Sequence, residues 1–104
     1  MNRQITPYLP KQEEFIKNVL TLIRDELCLF RMMMKYHSYS SMVLSSVSSA
    51  EEMVKIYTRI KSEPNFNVIC SDDEYLVYSF GDDVGTVIFS YVVDKQHLTV
   101  NINL

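Results

Sequence analysis

An α+β domain, with two helices (one long) packed on a four-stranded antiparallel β-meander, is the fold class this sequence predicts. Three observations carry that expectation. Apolar residues recur at helical spacing between residues 15 and 34, a short helix-start signature opens a second helical set at Ser49, and beyond Pro64 the period changes to two.

In the first segment Ile16, Leu20, Ile23, Leu27, Phe30 and Met34 follow one another at spacings of 4, 3, 4, 3 and 4, which is a single helical face. Pro10 suits a first helical turn, Glu13 and Glu14 complement the positive end of the helix dipole, and Lys35 complements the negative end. The pattern predicts a helix over residues 10–36. Phe15, Val19, Leu22, Leu29 and Met33 add a second apolar face, so this helix needs cover on two sides. The cover is either a sheet plus a second helix within the chain, or a seam between two copies of the chain.

Residues 37–49 (HSYSSMVLSSVSS) hold seven serines in thirteen positions. Serine competes for backbone hydrogen bonds and weakens a helical reading, so the segment is either a loop with a short strand near residues 42–44 or a frayed continuation of the helix. Ser49 and Glu52 then form an S-x-x-E capping box ahead of Met53, Ile56, Tyr57 and Ile60, which predicts a helix over residues 50–62, ending before Pro64. Alternation predicts strands at 66–71, 74–80, 86–93 and 97–104, joined by short polar turns. In the last of these Leu98, Val100, Ile102 and Leu104 form an apolar face opposite His97, Thr99, Asn101 and Asn103. The strand at 86–93 is apolar on one parity and mixed on the other, as befits a position deeper in a sheet. The whole chain, residues 1–104, reads as one domain, with a helical part at about 10–62 and a β part at about 66–104.

Composition agrees with a folded chain: 47% hydrophobic and 22% charged residues, with two glycines and three prolines in 104 positions. The opening run MNRQITPYLPKQEEF lacks the apolar core of a secretory signal, and the longest uncharged runs fall short of the roughly 18–20 apolar residues that span a bilayer. Cys28 and Cys70 both sit in apolar patterns, which predicts two buried, reduced thiols and a cytoplasmic setting.

Charge is divided unevenly. Residues 1–63 carry nine Lys/Arg against seven Asp/Glu, whereas residues 64–104 carry one lysine against six acids, a net −5. Asp72, Asp73, Glu74, Asp82 and Asp83 flank a single predicted strand, and its seven residues hold the two groups about 23 Å apart. That separation excludes a shared metal ion and a glycosidase pair, whose carboxyl groups approach to about 5–10 Å. His37 and His97 match no zinc-ligand spacing, no C-x-x-C is present, and neither a G-x-S-x-G nor a glycine-rich phosphate loop occurs. No metal or cofactor is expected.

An acidic surface repels nucleic-acid phosphate and favours basic proteins. A second candidate contact is RMMMKYHSY, whose Met33, Tyr36 and Tyr39 are adaptable interface types. The expectation is therefore a small non-catalytic protein that binds another protein and occludes it, in the manner of an inhibitor, antitoxin, immunity protein or phage counter-defence factor. A basic nucleic-acid-binding protein or nuclease is the partner class such a surface fits. The contact residues would be Asp72, Asp73, Glu74, Asp82, Asp83, Met33, Tyr36 and Tyr39. The alternative is a homodimeric structural or scaffolding subunit that associates through the long first helix.

Overall fold

The computed structural model describes residues 8–27 and 31–104. In chain order these form α1 (Pro10–Glu26), β1 (Met33–His37), β2 (Ser41–Val47), α2 (Ala50–Ile60), β3 (Asn67–Ser71), β4 (Tyr75–Gly81), β5 (Thr86–Val92) and β6 (His97–Asn103). The strands make one antiparallel sheet in the order β1-β2-β6-β5-β4-β3.

The α+β class stands, but the sheet has six strands and not four, and the first helix is shorter than its periodicity predicts. α1 ends at Glu26, and Leu27 leaves it in extended conformation. The methionine-rich segment, expected as the last turns of that helix, instead pairs as β1 with β2, and residues 41–47 of the serine-rich segment pair as β2 with β6. The reason is backbone demand. With β3, β4 and β5 stacked on one side of β6, its other edge presents unpaired N–H and C=O groups, and the 33–47 hairpin fills that edge with two strands. The 4-3-4-3-4 spacing through Phe30 and Met34 is compatible with either element, and long-range pairing decides it. Cys28, Leu29 and Phe30, which the sequence places on the helix, lie outside the described residues.

Both helices cover one face of the sheet. From α1 come Ile16, Val19, Leu22 and Ile23, and from α2 Met53, Ile56 and Ile60. They meet Met42 and Leu44 of β2, Leu98, Val100 and Ile102 of β6, Val87, Phe89 and Tyr91 of β5, and Tyr78 and Phe80 of β4. Ile23, which with Leu27 belongs to the apolar stripe that could have made an intermolecular seam, is fully enclosed by this core, and Leu27 is buried as well.

Local chemistry explains why the elements begin where they do. α2 carries the predicted capping box: the Ser49 hydroxyl accepts the Glu52 N–H at 3.2 Å, and a Glu52 carboxylate oxygen accepts the Ser49 N–H at 2.9 Å. The other Glu52 oxygen pairs with Arg31, which also donates to the Val47 carbonyl at 3.1 Å. Burial alone would raise the Glu52 pKa, but the Ser49 N–H and the Arg31 guanidinium hold it below the usual carboxylate value. At the far end of α2, Asn65 takes a left-handed conformation (φ 58°) that asparagine tolerates, and its side chain donates to the Gly81 carbonyl at 2.8 Å. Both glycines of GDDVG are set by close backbone approach: a Cβ at Gly81 would lie 2.3 Å from the Gly85 carbonyl oxygen, and one at Gly85 would lie 2.8 Å from that of Asn103.

The buried serines have a packing role. Ser46 and Ser48 share a 2.9 Å hydroxyl contact beneath α2, and the Tyr91 hydroxyl donates to the Ser48 carbonyl at 2.7 Å. Small side chains here make room for the Tyr91 ring. Burial first, and then the nearby Glu52 charge, pushes the Tyr91 hydroxyl pKa above its ordinary value, so it stays a donor.

Candidate functional site: the open face of the sheet

Side chains alternate across a sheet, so the register that points Val87, Phe89 and Tyr91 at the helices points their neighbours the other way. On that second face four rows run across the strands. One holds Met33, Ser45, Thr99, Ser90, Val77 and Cys70; the next holds Tyr36, Val43, Asn101, Ile88, Ser79 and Asn67. The outer rows are Val47, His97, Val92 and Tyr75 at one end, and Ser41, Asn103, Thr86 and Gly81 at the other. No described helix lies over this face. None of the residues in these rows is Asp, Glu, Lys or Arg, although the chain is 22% charged.

Two of the predicted contact residues belong here. Met33 and Tyr36 stand on the open face at its β1 side, 60% and 55% exposed, and Tyr39 sits in the adjoining β1–β2 turn at 75%. Met34, adjacent in sequence, points to the opposite face, as a strand requires. Val47 and Tyr75 add further exposed apolar surface to the same face. The central positions were missed at the sequence level. Ile88, Thr99 and Asn101 read there as the mixed or wet parity of their strands, and the usable signal was the absence of charge on that parity through five successive strands.

The five predicted carboxylates are not brought together. Asp72, Asp73 and Glu74 form the β3–β4 turn, beside the β5–β6 turn through the bond from the Val93 N–H to the Glu74 carbonyl, and Asp82 and Asp83 form the β4–β5 turn at the opposite end. One acid in each group is engaged by its own backbone. Asp72 Oδ1 accepts the N–H groups of Glu74 and Tyr75, each at 2.8 Å, and Asp82 Oδ1 accepts those of Val84 at 2.8 Å and Gly85 at 3.3 Å. The Tyr75 and Glu74 N–H groups lower the Asp72 pKa. Asp73, Glu74 and Asp83 remain exposed at the two rims.

Cys70, expected as a buried thiol, is instead part-exposed on edge strand β3, where its Sγ lies 3.4 Å from Asp72 Oδ2. Burial first, and then the hydrogen bond and charge of Asp72, raises its pKa, which keeps it a thiol and a poor nucleophile. His97 lies three rows of strands away on the same face. Among the described residues no three His, Cys, Asp or Glu side chains converge to hold a metal ion, and no helix is long and apolar enough to cross a membrane. The concave surfaces are shallow. One of about 660 Å³ follows α1 and is lined by the mixed set Tyr8, Glu13, Lys17, Leu20 and Arg24, and one of about 290 Å³ lies between α2 and the β3–β4 hairpin.

Together these features define a two-helix α+β protein whose helices seal one sheet face and, among the described residues, leave open a second face with uncharged paired rows, flanked by aromatic and Met side chains, between two acidic rims. Comparison of the chain with protein-family models, with curated proteins and with solved structures finds no match.

Proposed function

We propose that this chain is a non-catalytic protein-binding protein, and that its binding surface is the open face of the sheet. The observation that supports this best is the face itself: six strands wide, without Asp, Glu, Lys or Arg in its paired rows, and edged by exposed Met33, Tyr36, Val47 and Tyr75. Charge depletion with aromatic and methionine enrichment is the composition of an interface centre. The acidic turns at its two ends form a rim that orients an approaching partner and disfavours acidic ones, so the chain acts by covering a partner surface and not by bond chemistry. Occlusion of a basic partner through the acids alone is a weaker version, since Asp72 and Asp82 each use a carboxylate oxygen to close a hairpin.

The test separates the two surfaces. Partners cross-linked to the chain in its native cells are compared for wild type, for the face variant Val43→Lys/Ile88→Lys and for the rim variant Asp73→Asn/Glu74→Gln/Asp83→Asn, with folding checked by circular dichroism. Loss of the partner in the face variant, with weaker salt dependence but retained binding in the rim variant, is expected. Loss confined to the rim variant would transfer the function to the acidic turns.

A self-associating structural subunit is the second reading. Ile16, Ile23 and Leu27 of the predicted helical stripe are taken up by the core, whereas the open face offers such a subunit a broad surface.

A further inference from the structure

We propose that the occupant of the open face is a second copy of this chain, the two sheets packing face to face about a two-fold axis close to Asn101 and Ile88. The inference rests on the reading of that face as the binding surface and names its partner.

Three observations point to a copy of the same chain. The first is charge. In a two-fold interface every residue near the axis meets its own kind, so any charged side chain there would face a like charge. This chain is acidic overall, at −3, yet the paired rows of this face hold no Asp, Glu, Lys or Arg, the six acids that follow Pro64 are confined to the turns between strands, and Lys35 stands at the irregularity of edge strand β1, away from the centre. A surface shaped for a basic partner would have carried some of that acidity inward.

The second is Asn101. It sits on β6, one of the two central strands, between Val43 and Ile88. Its Oδ1 is shielded from solvent and is without a hydrogen-bond partner among the described residues. A shielded, unpaired amide oxygen is unfavourable in the isolated chain. An asparagine amide is both donor and acceptor and turns freely about its last torsion, so two copies meeting at a two-fold axis satisfy each other reciprocally, Nδ2–H to Oδ1 in both directions. Thr99 and Ser90, in the adjoining central row, are likewise self-complementary groups.

The third is size and alternatives. Six strands about 4.8 Å apart, with up to seven residues of about 3.4 Å each, make a face of roughly 29 by 24 Å, on the order of 700 Å². An ordinary stable interface buries about 800 Å² per partner, and facing sheets pack at about 10 Å separation with strands near −30°. The sheet edges offer less. β1 and β3 are five-residue strands, each broken by a register shift, between Met34 and Tyr36 and between Val68 and Cys70, the devices that blunt edge pairing.

The experiment is sedimentation equilibrium over a micromolar concentration series at pH 7, with the full chain as wild type, Ile88→Lys and Asn101→Asp. The wild type is expected at twice the 12.2 kDa of one chain. Ile88→Lys, which sets two ammonium groups against each other at the axis, is expected to weaken association by at least about a hundredfold while circular dichroism stays native. Asn101→Asp is expected to be monomeric at pH 7 and to regain the dimer once its carboxylates are protonated at about pH 4, a response that a merely local packing role would not produce. Should Ile88→Lys unfold, the pH response of Asn101→Asp decides.

A wild type that stays monomeric at high micromolar concentration overturns the second-copy proposal. If Ile88→Lys then still abolishes capture of another protein, the face remains the binding surface with a different occupant. A wild-type dimer equally stable in both variants places the contact elsewhere and overturns the second-copy proposal, and the face reading falls with it only if Ile88→Lys also leaves capture of another protein intact.

Discussion

The two faces of one sheet are built from the same strands, residue alternating with residue, and yet they obey different rules. On the covered face the central positions are large and apolar: Phe80 stacks on Phe89 with ring centroids 6.3 Å apart, and Val87, Leu98, Val100 and Ile102 are sealed from solvent. On the open face valine, isoleucine, serine, threonine and asparagine are mixed, most of them half-buried. A strand's two parities are independent selections. One serves folding through hydrophobic burial, and the other is left to serve contact with something outside the domain.

The sharpest way to break that comparison is a pair of truncations one residue apart. Phe89→Ala empties a fully buried site and is expected to lower unfolding free energy by about 3–5 kcal/mol, whereas Ile88→Ala in the dilute monomer is expected to lower it by about 1 kcal/mol, both read from urea denaturation midpoints. Equal losses would mean that the open face is covered within the chain. A second pair asks about polar contacts. Tyr91→Phe removes the donor to the buried Ser48 carbonyl and should be destabilising by about 1–2 kcal/mol, while Ser90→Ala on the other face should stay within about 0.5 kcal/mol.

The third test addresses the cover. Ser49→Ala breaks the capping box of α2 and should reduce stability by about 1 kcal/mol, with the loss appearing in thermal unfolding and not in the association constant. The smallest effect lies at the rim. Asp72 is held at a lowered pKa in the folded chain, so its contribution is present above the unfolded carboxylate value and fades as pH falls through the folded one. Glu52 acts with the same sign. Melting temperature should therefore decline as pH drops from about 6 to about 3, and Asp72→Asn should flatten that decline slightly, leaving the Glu52 part in place. An unchanged slope would assign the acid sensitivity to other carboxylates.

Much of this was legible in the chain itself. Ser49 and Glu52 announce the start of α2 because a capping box is a local device, satisfied within four residues. Leu98, Val100 and Ile102 announce the core face of β6 because alternation is local too. The placement of the acids at opposite ends follows from strand length alone. What could not be read locally was the fate of residues 31–47. Met33, Met34 and Tyr36 fit a helix or a strand equally well, and the serines between residues 38 and 49 favour neither. Their structure is set by the free edge of β6, more than fifty residues downstream in sequence.

That is also where the candidate site came into being. The sequence by itself determined the α+β class, the second helix, the alternating strands after Pro64 and the uncharged parity along them, since these depend on periodicity and on contacts between near neighbours. Only the tertiary structure decided that a hairpin would join β6, that both helices would lie on one side, and that Tyr36, Val43, Asn101 and Ile88 would become one continuous surface. Those outcomes depend on which distant backbone edge satisfies which, and no local pattern encodes that choice.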